Sequence, residues 1–558
     1  MATLRFVHPL IIVSSRHPEY CLFTETFAPY LELWGMAYDI HDCATEGIPA
    51  NLSQWPLVVL SHPGCLEGSS GMAEAVCQAV GSGTGLVTFG EAISPWASRR
   101  SELRASGLIS VRNADHPIAK LHQSGERRLF FNLSKAVSPL LAVEGENVAA
   151  LGQEPLLSLN PSEDAISGKV VVWTTLAWAR QDVLGPLYGM DDLLWRSLVW
   201  TARKPFVLRC LPPFVTMRVD DVSGFGKRLG GESGLYWMRD CVELGWKPFS
   251  GLFLDDLTPE IVEELRPILA AGQATACPHA FSYWDFIYFL HKPRKPELGY
   301  WSEAAVCEPL PDEAVAENAR KVEAWYEANP GLPMSKVFVP HYYELSAGFL
   351  PYLRKWGFRY VLSMNPPDRP YGGTMTYGAP FHTKRLPFAT NTPVYYADWY
   401  PSGESGDESR FFASVTEIRD DQGYEWAPNE NVDDTINHGV NQLSRALDSL
   451  VLAQLFTHES GYIQYISPER WRAIMDGVTA YVRERGAIPV TLDDAMAYLV
   501  DLKLSRWTGG VLESDGRLTL RFDGVSEGAT KVAVFADDAL DPVWKTVMPF
   551  VGVVEQTV

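Results

Sequence analysis

The chain has 558 residues, of which 46% are hydrophobic and 21% charged, with a formal net charge of −21. At roughly 100–200 residues per domain this is a globular protein of two to four domains, not a disordered chain. The acidic balance and the lack of any Lys/Arg-rich run argue against a nucleic-acid partner, because phosphates want the opposite sign.

The chain opens on one basic residue before Val7 and a short apolar stretch, residues 9–13, that runs into Ser14-Ser15-Arg16. That reads as a first strand and not as a signal peptide. No apolar run reaches the ~18 residues that would span a membrane, so the cytoplasm is the default expectation. Eight Cys are scattered without a CxxC pair, a pattern of reduced thiols more than of a disulfide framework or zinc knuckle. The 18 Trp, 23 Tyr and 25 Phe supply either core packing or stacking faces for sugar rings.

In chain order, residues 4–13 predict a strand and 27–34 a helix. Residues 56–61 (PLVVLS) predict a buried parallel strand, 72–80 a helix, 85–89 (GLVTF) and 169–174 (KVVVWT) strands, and 191–203 an amphipathic helix. Short apolar runs alternating with helical segments predict an open α/β sheet over residues 1–205. Lys-Pro and Pro-Pro punctuate residues 204–213, which mark a joint. A second α/β block, residues 206–504, follows. Residues 505–558 change character: 518–522 (LTLRF) and 531–535 (KVAVF) predict a small β-rich C-terminal domain or appendage.

The second block carries the chemistry. In residues 214–224, FVTMRVDDVSG, a β-rich run ends in Asp220 and Asp221 before a Ser-Gly turn. Adjacent side chains on a strand point to opposite faces, so at a strand end one carboxylate can hold a metal while its neighbour faces substrate water. A plain Asp-Asp turn is the alternative. The context favours function: His279 closes the short run ACPHAFS, His341 sits in VFVPHYYELS, Asp398-Trp399 in VYYADWY, and His458 in LAQLFTHESG. Successive strands that each end in Asp or His are how α/β barrels assemble a site.

Two resemblances follow from these residues. The first block resembles the class I glutamine-amidotransferase-like or flavodoxin-like superfamily, on PLVVLSH, GSGTGLVTFG and HPIAKL. That family's nucleophilic Cys would stand after GLVTF, where this chain has Phe89-Gly90-Glu91, which implies a non-hydrolytic accessory domain. His62, in LSHPG, is read there as structural or as a second ligand-binding spot. Residues 212–502 resemble the polysaccharide deacetylase (NodB-homology, carbohydrate esterase family 4-like) superfamily, whose fold is a distorted (β/α) barrel.

The deacetylase resemblance implies a role for each residue. Asp220 would be the catalytic base and Asp221 a metal ligand, from Arg218-Val219-Asp220-Asp221. His279 would be a second ligand from a His-x-x-x-His motif whose second His is Tyr283 here. His341 would restore the lost ligand. Asp398-Trp399 would match an Asp-Trp pair, with Asp398 catalytic, and His458 would be the general acid. Asp285 and His291 are substitute ligands on this reading, and His382 and His438 are surface groups. Trp284, Tyr342, Trp399 and Trp426 are stacking candidates.

The chemistry is coherent without the family. A divalent cation on two His and one carboxylate keeps a position open for water, and Zn²⁺ suits the imidazoles. The metal acidifies the water and polarises the acyl oxygen, Asp220 takes the proton, and His458 protonates the leaving amine or alkoxide. The expected function is metal-dependent removal of an acyl group, acetyl first, from a carbohydrate. The alternatives are a glycoside hydrolase pairing Asp220 or Asp221 with Asp398 or Glu459, and a catalytically inactive carbohydrate-binding protein.

Overall fold

The computed structural model describes residues 4–130, 133–160, 167–180, 182–184, 190–224, 234–293, 305–362, 367–368, 394–395, 411–413 and 425–558. Asp398, Trp399 and His382 lie outside them. The chain divides into two compact units. One comprises Met1–Leu211, Asp448–Leu450 and Leu504–Val558; the other comprises Pro212–Leu447 and Val451–Lys503. No helix among the described residues is long and apolar enough to cross a membrane.

The first unit is built on a nine-stranded mixed sheet in the order Asp39–Asp42, Leu10–Val13, Leu57–Leu60, Gly85–Phe89, Val170–Trp173, Glu154–Asn160, Glu146–Leu151, Leu108–Val111, Arg127–Leu129. The first five strands are parallel and the rest antiparallel. LVVL, GLVTF and VVVW are buried at every position, as parallel strands covered on both faces must be.

The helix expected over 191–203 forms as Asp191–Thr201, but every residue of it is buried. Its acidic start is paired within the same unit. Asp191 accepts from Ser449 Oγ at 3.0 Å, and Asp192 holds His122 Nε2 at 2.9 and 3.0 Å. Burial works against the charged His122 ring, yet Asp192 and Glu126 push its pKa up to about 10.

After Gly85–Phe89, Gly90 turns in the left-handed region (φ 68°). The buried Glu91 carboxylate then accepts from the backbone N–H groups of Gly64 and Cys65. His62 accepts from Ser14 N–H at 3.1 Å and donates to the Pro63 carbonyl at 2.9 Å. The C-terminal strands pack in this unit as well. Trp507, Leu520, Phe522 and Val532 share one apolar core with Val7, Ala37 and Val207. Phe206–Leu208 pairs antiparallel with Thr530–Phe535.

The second unit has a parallel sheet in the order Thr275–Ala280, Phe249–Phe253, Phe214–Val222, Ala453–His458, with Ile488–Pro489 alongside the start of Phe214–Val222. Crossover helices such as Tyr236–Glu243 and Pro259–Ala270 connect the strands. Thr258 caps the second of these, accepting from Ile261 N–H, with Pro259 in the first turn.

A second, short-stranded sheet runs Val337–Phe338, Tyr360–Val361, Phe412–Ala413, Val394–Tyr395. The expected distorted (β/α) barrel is therefore not closed among the described residues: the architecture is mixed α/β, with these two sheets and an antiparallel pair, Leu290–Pro293 with Ala305–Glu308. At the seam between Thr275–Ala280 and Val337–Phe338, Ser335 N–H donates to the Ala276 carbonyl at 2.7 Å and a side chain adds a second link. Nδ1 of His279 donates to the Val339 carbonyl at 2.8 Å.

Candidate metal centre

Phe214–Val222 is buried along all but its first residue. Its register with Ala453–His458 sets Asp220 directly beside His458. Strand alternation would send Asp220 and Asp221 to opposite faces, but Asp221 has a left-handed backbone (φ 59°). That turn brings both carboxylates to one imidazole: His279 Nε2 lies 3.7 Å from Asp220 Oδ2 and 3.6 Å from Asp221 Oδ1. Tyr342 and Tyr343 (φ 53° and 58°) hold the same left-handed geometry just after His341. Such backbone costs on the order of 1–3 kcal/mol per residue and persists where surrounding structure over-determines it.

One oxygen or nitrogen from each of Asp221, His279 and His341 lies within 4.8 Å of the others, and all three residues are buried. His341 Nε2 is 3.5 Å from Asp221 Oδ1, and that oxygen has no hydrogen-bond partner among the described residues. Ligand bonds of ~2.0–2.1 Å in a tetrahedral site separate neighbouring donor atoms by about 3.3–3.5 Å. The donors present therefore fit a divalent cation. With His279 Nδ1 bound to the Val339 carbonyl, Nε2 presents its lone pair to the cluster. Among the described residues Asp285 is exposed and not part of the group; the side chain of His291 is outside them.

Burial depresses the His279 pKa to about 4, against the attraction of Asp220, so the ring is neutral at pH 7. Burial pushes Asp221 up to about 7, with the Asp220 charge adding to the shift and His458 opposing it. Burial would raise Asp220 too, but the Arg218 guanidinium and His279 outweigh it and hold that carboxyl below the usual range. Arg218 donates from Nε to Asp220 Oδ1 at 3.0 Å and from Nη2 to Oδ2. Its cation lies 4.2 Å from the Phe456 ring centroid and 5.3 Å from that of Tyr343.

Gly251, on the neighbouring strand, is what admits this arrangement. A Cβ there would stand 2.9 Å from His279 Cγ and 3.1 Å from Asp220 Oδ1. The group opens into a cavity of about 490 Å³, also lined by Tyr283, Tyr342, Glu425, His458 and Tyr462.

Glu425, Tyr462 and the pairing of Arg218 were not read from the sequence. Glu425 Oε1 is 3.7 Å from His458 Nδ1, and Tyr462 donates to Oε2 at 2.6 Å. Glu425-Trp426 is itself an acid–Trp pair, the same sequence pattern as Asp398-Trp399. Tyr342 lines the cavity, whereas Trp284 is not among its lining residues and is exposed, edge-on to Tyr283 at 5.0 Å. Trp426 is fully buried, donating to the Thr435 carbonyl at 3.0 Å, which removes it as a stacking platform. His438, read as a surface group, is half-buried within the helix Val432–Asp448.

No protein-family model and no curated relative matches the sequence. Among solved structures, one superposes over 100% of this chain and 99% of its own, with a TM-score of 0.55 at 10% identity. The chain shares the fold of Agd3, a carbohydrate deacetylase. A proposed polysaccharide deacetylase from Mycobacterium smegmatis aligns with 52% of this chain and 91% of its own, at 12% identity and a TM-score of 0.28. A proposed glycoside hydrolase/deacetylase from Parabacteroides distasonis aligns with 61% and 85%, at 11% identity and a TM-score of 0.30. The last two overlaps are too loose to carry an argument.

Proposed function

We propose that the second unit is a metal-dependent hydrolase that removes an acyl group, acetyl first, from a carbohydrate. Asp221, His279 and His341 hold the cation, and Zn²⁺ is the ion their donor set suits. The observation that carries this reading is the convergence of one carboxylate and two imidazoles beside Asp220 and His458 in one cavity. The fold shared with Agd3 agrees with it. When bound, a divalent cation supplies Lewis acidity, which lowers the pKa of water and polarises an acyl oxygen.

The chain's own residues supply the rest. Asp220, kept ionised and fixed by Arg218, receives the proton of the attacking water. His458 gives a proton to the departing amine or alkoxide, with the Glu425 carboxylate 3.7 Å from its Nδ1. Tyr283, Tyr342 and Tyr462 line the cavity and offer apolar faces with polar tips to a sugar. Asp398 and Trp399 remain further contributors on the family reading. On the glutamine-amidotransferase-like resemblance residues 1–205 are an accessory domain, with Phe89-Gly90-Glu91 where a nucleophile would be needed.

The test is to strip the purified protein with a chelator, restore zinc, and assay a panel of acetylated oligosaccharides. One zinc per chain and zinc-dependent acetate release are expected. Acetate release undiminished by chelation would overturn the metal assignment. New reducing ends without acetate would move the reading to glycoside hydrolysis.

A further inference from the structure

Glu459 follows His458, is fully buried, and is not among the residues that line the cavity. A carboxylate taken out of water must find hydrogen bonds or cost several kcal/mol, order of magnitude. This one does. Oε2 accepts from the backbone N–H of Ser223 at 2.7 Å, from that of Gly224 at 2.8 Å, and from Ser223 Oγ at 3.4 Å. Oε1 accepts from Trp237 Nε1 at 2.8 Å. The Glu459 backbone N–H donates to the Asp220 carbonyl at 2.9 Å.

Main chain and side chain of one residue thus grip the backbone immediately before and after Asp221, whose left-handed conformation puts its carboxylate in the cluster. We infer that Glu459 is a positioning residue: it pins the Asp221 turn to the strand that carries His458 and so fixes the proposed ligand, base and acid in one frame. This rests on the function proposed above.

The chemistry of the grip makes a specific demand. The hydrogen-bond partners named above approach both carboxylate oxygens as donors. Glutamine has the same shape but must turn an NH₂ group toward either the two backbone N–H groups or the indole N–H. Glu459→Gln should therefore damage the site despite being isosteric. Removing the indole donor should relieve the damage, because an NH₂ group turned to that side no longer meets the indole N–H while the remaining oxygen keeps Ser223 and Gly224.

Zinc affinity is measured by titration of the stripped full chain, for Glu459→Gln alone and in a Trp237→Phe background, with cooperative melting as the check of folding. A loss of about 10–100-fold, typical of groups that orient metal ligands, is expected for Glu459→Gln alone. Turnover should fall while KM changes little, and the loss should be several-fold smaller in the Trp237→Phe background. A folded Glu459→Gln that binds zinc as tightly as the parent, or an equal loss in both backgrounds, overturns the inference.

Should the variants fail to fold, the parent chain still decides. The Ser223 and Gly224 amides, measured metal-free by hydrogen exchange, should be as protected as those of Phe214–Val222, and exchange at loop rates overturns the grip. Zinc binding by the parent tests the proposed function separately, so either reading can fail without the other.

Discussion

Asp220→Asn is expected to retain the cation and lose turnover by something on the order of 10²–10⁴-fold, the range for removal of a general base. The loss has a second component in the fold. Arg218 is buried, and its guanidinium is paired to this carboxylate through two donors. Asparagine removes the compensating charge, and breaking such a buried pair costs about 3–5 kcal/mol. The variant should therefore bind zinc near the parental affinity, melt at lower temperature and turn over poorly, with KM little changed. Loss of zinc together with activity would make Asp220 a ligand and place the base elsewhere; turnover within tenfold of the parent would remove it from the chemistry.

Asp221→Asn is expected to do the reverse: to abolish zinc binding and stabilise the metal-free protein at pH 8. The Asp221 carboxyl has a folded-state pKa of about 7, against about 3.9 in an unfolded chain. Between these values the folded state keeps a proton that the unfolded state has lost, so stability falls as pH rises from about 4 to 7 and the full penalty is in force above 7. The difference caps the penalty at about 4 kcal/mol; a gain of about 2–4 kcal/mol is expected from the uncharged amide. That gain should shrink below pH 7 and vanish near pH 4. Denaturant titrations of metal-free parent and variant at pH 4.5 and 8 measure it, and an equal difference at both pH values would show that Asp221 titrates normally in the fold.

Much of the candidate site can be read from strand ends. A short apolar run that finishes in Asp or His announces itself, and Asp220, Asp221, His279, His341 and His458 all line the same cavity. The pairing of Arg218 with Asp220 was also available, since residues two apart on a strand share a face. Glu425 was harder, because it closes no apolar run and only folding brings it beside His458. The role of Gly251 depends on how closely His279 and Asp220 approach its backbone, which no local pattern in FSGLF encodes. Four of the five parallel strands of the first sheet were legible from unbroken apolar runs, and the polar edge strand Asp39–Asp42 was not. The antiparallel half, Leu108–Val111 through Glu154–Asn160, was not, since its strands offer no uniform run. Between Thr275–Ala280 and Val337–Phe338 the His279 ring takes the Val339 carbonyl, a contact that no local run of residues announces.

That ring also sets the proton inventory of metal loading. His279 is held through Nδ1 by the Val339 carbonyl and is already neutral at pH 7, with a pKa of about 4. Asp221, with a pKa of about 7, still carries a proton in part of the population. Loading at pH 6 should therefore expel close to one proton from Asp221 and almost none from His279, and loading at pH 8.5 close to zero from both. Calorimetric titrations of zinc in two buffers of different ionisation enthalpy count the protons released, and no difference in release between pH 6 and pH 8.5 would mean that Asp221 is already ionised at pH 6.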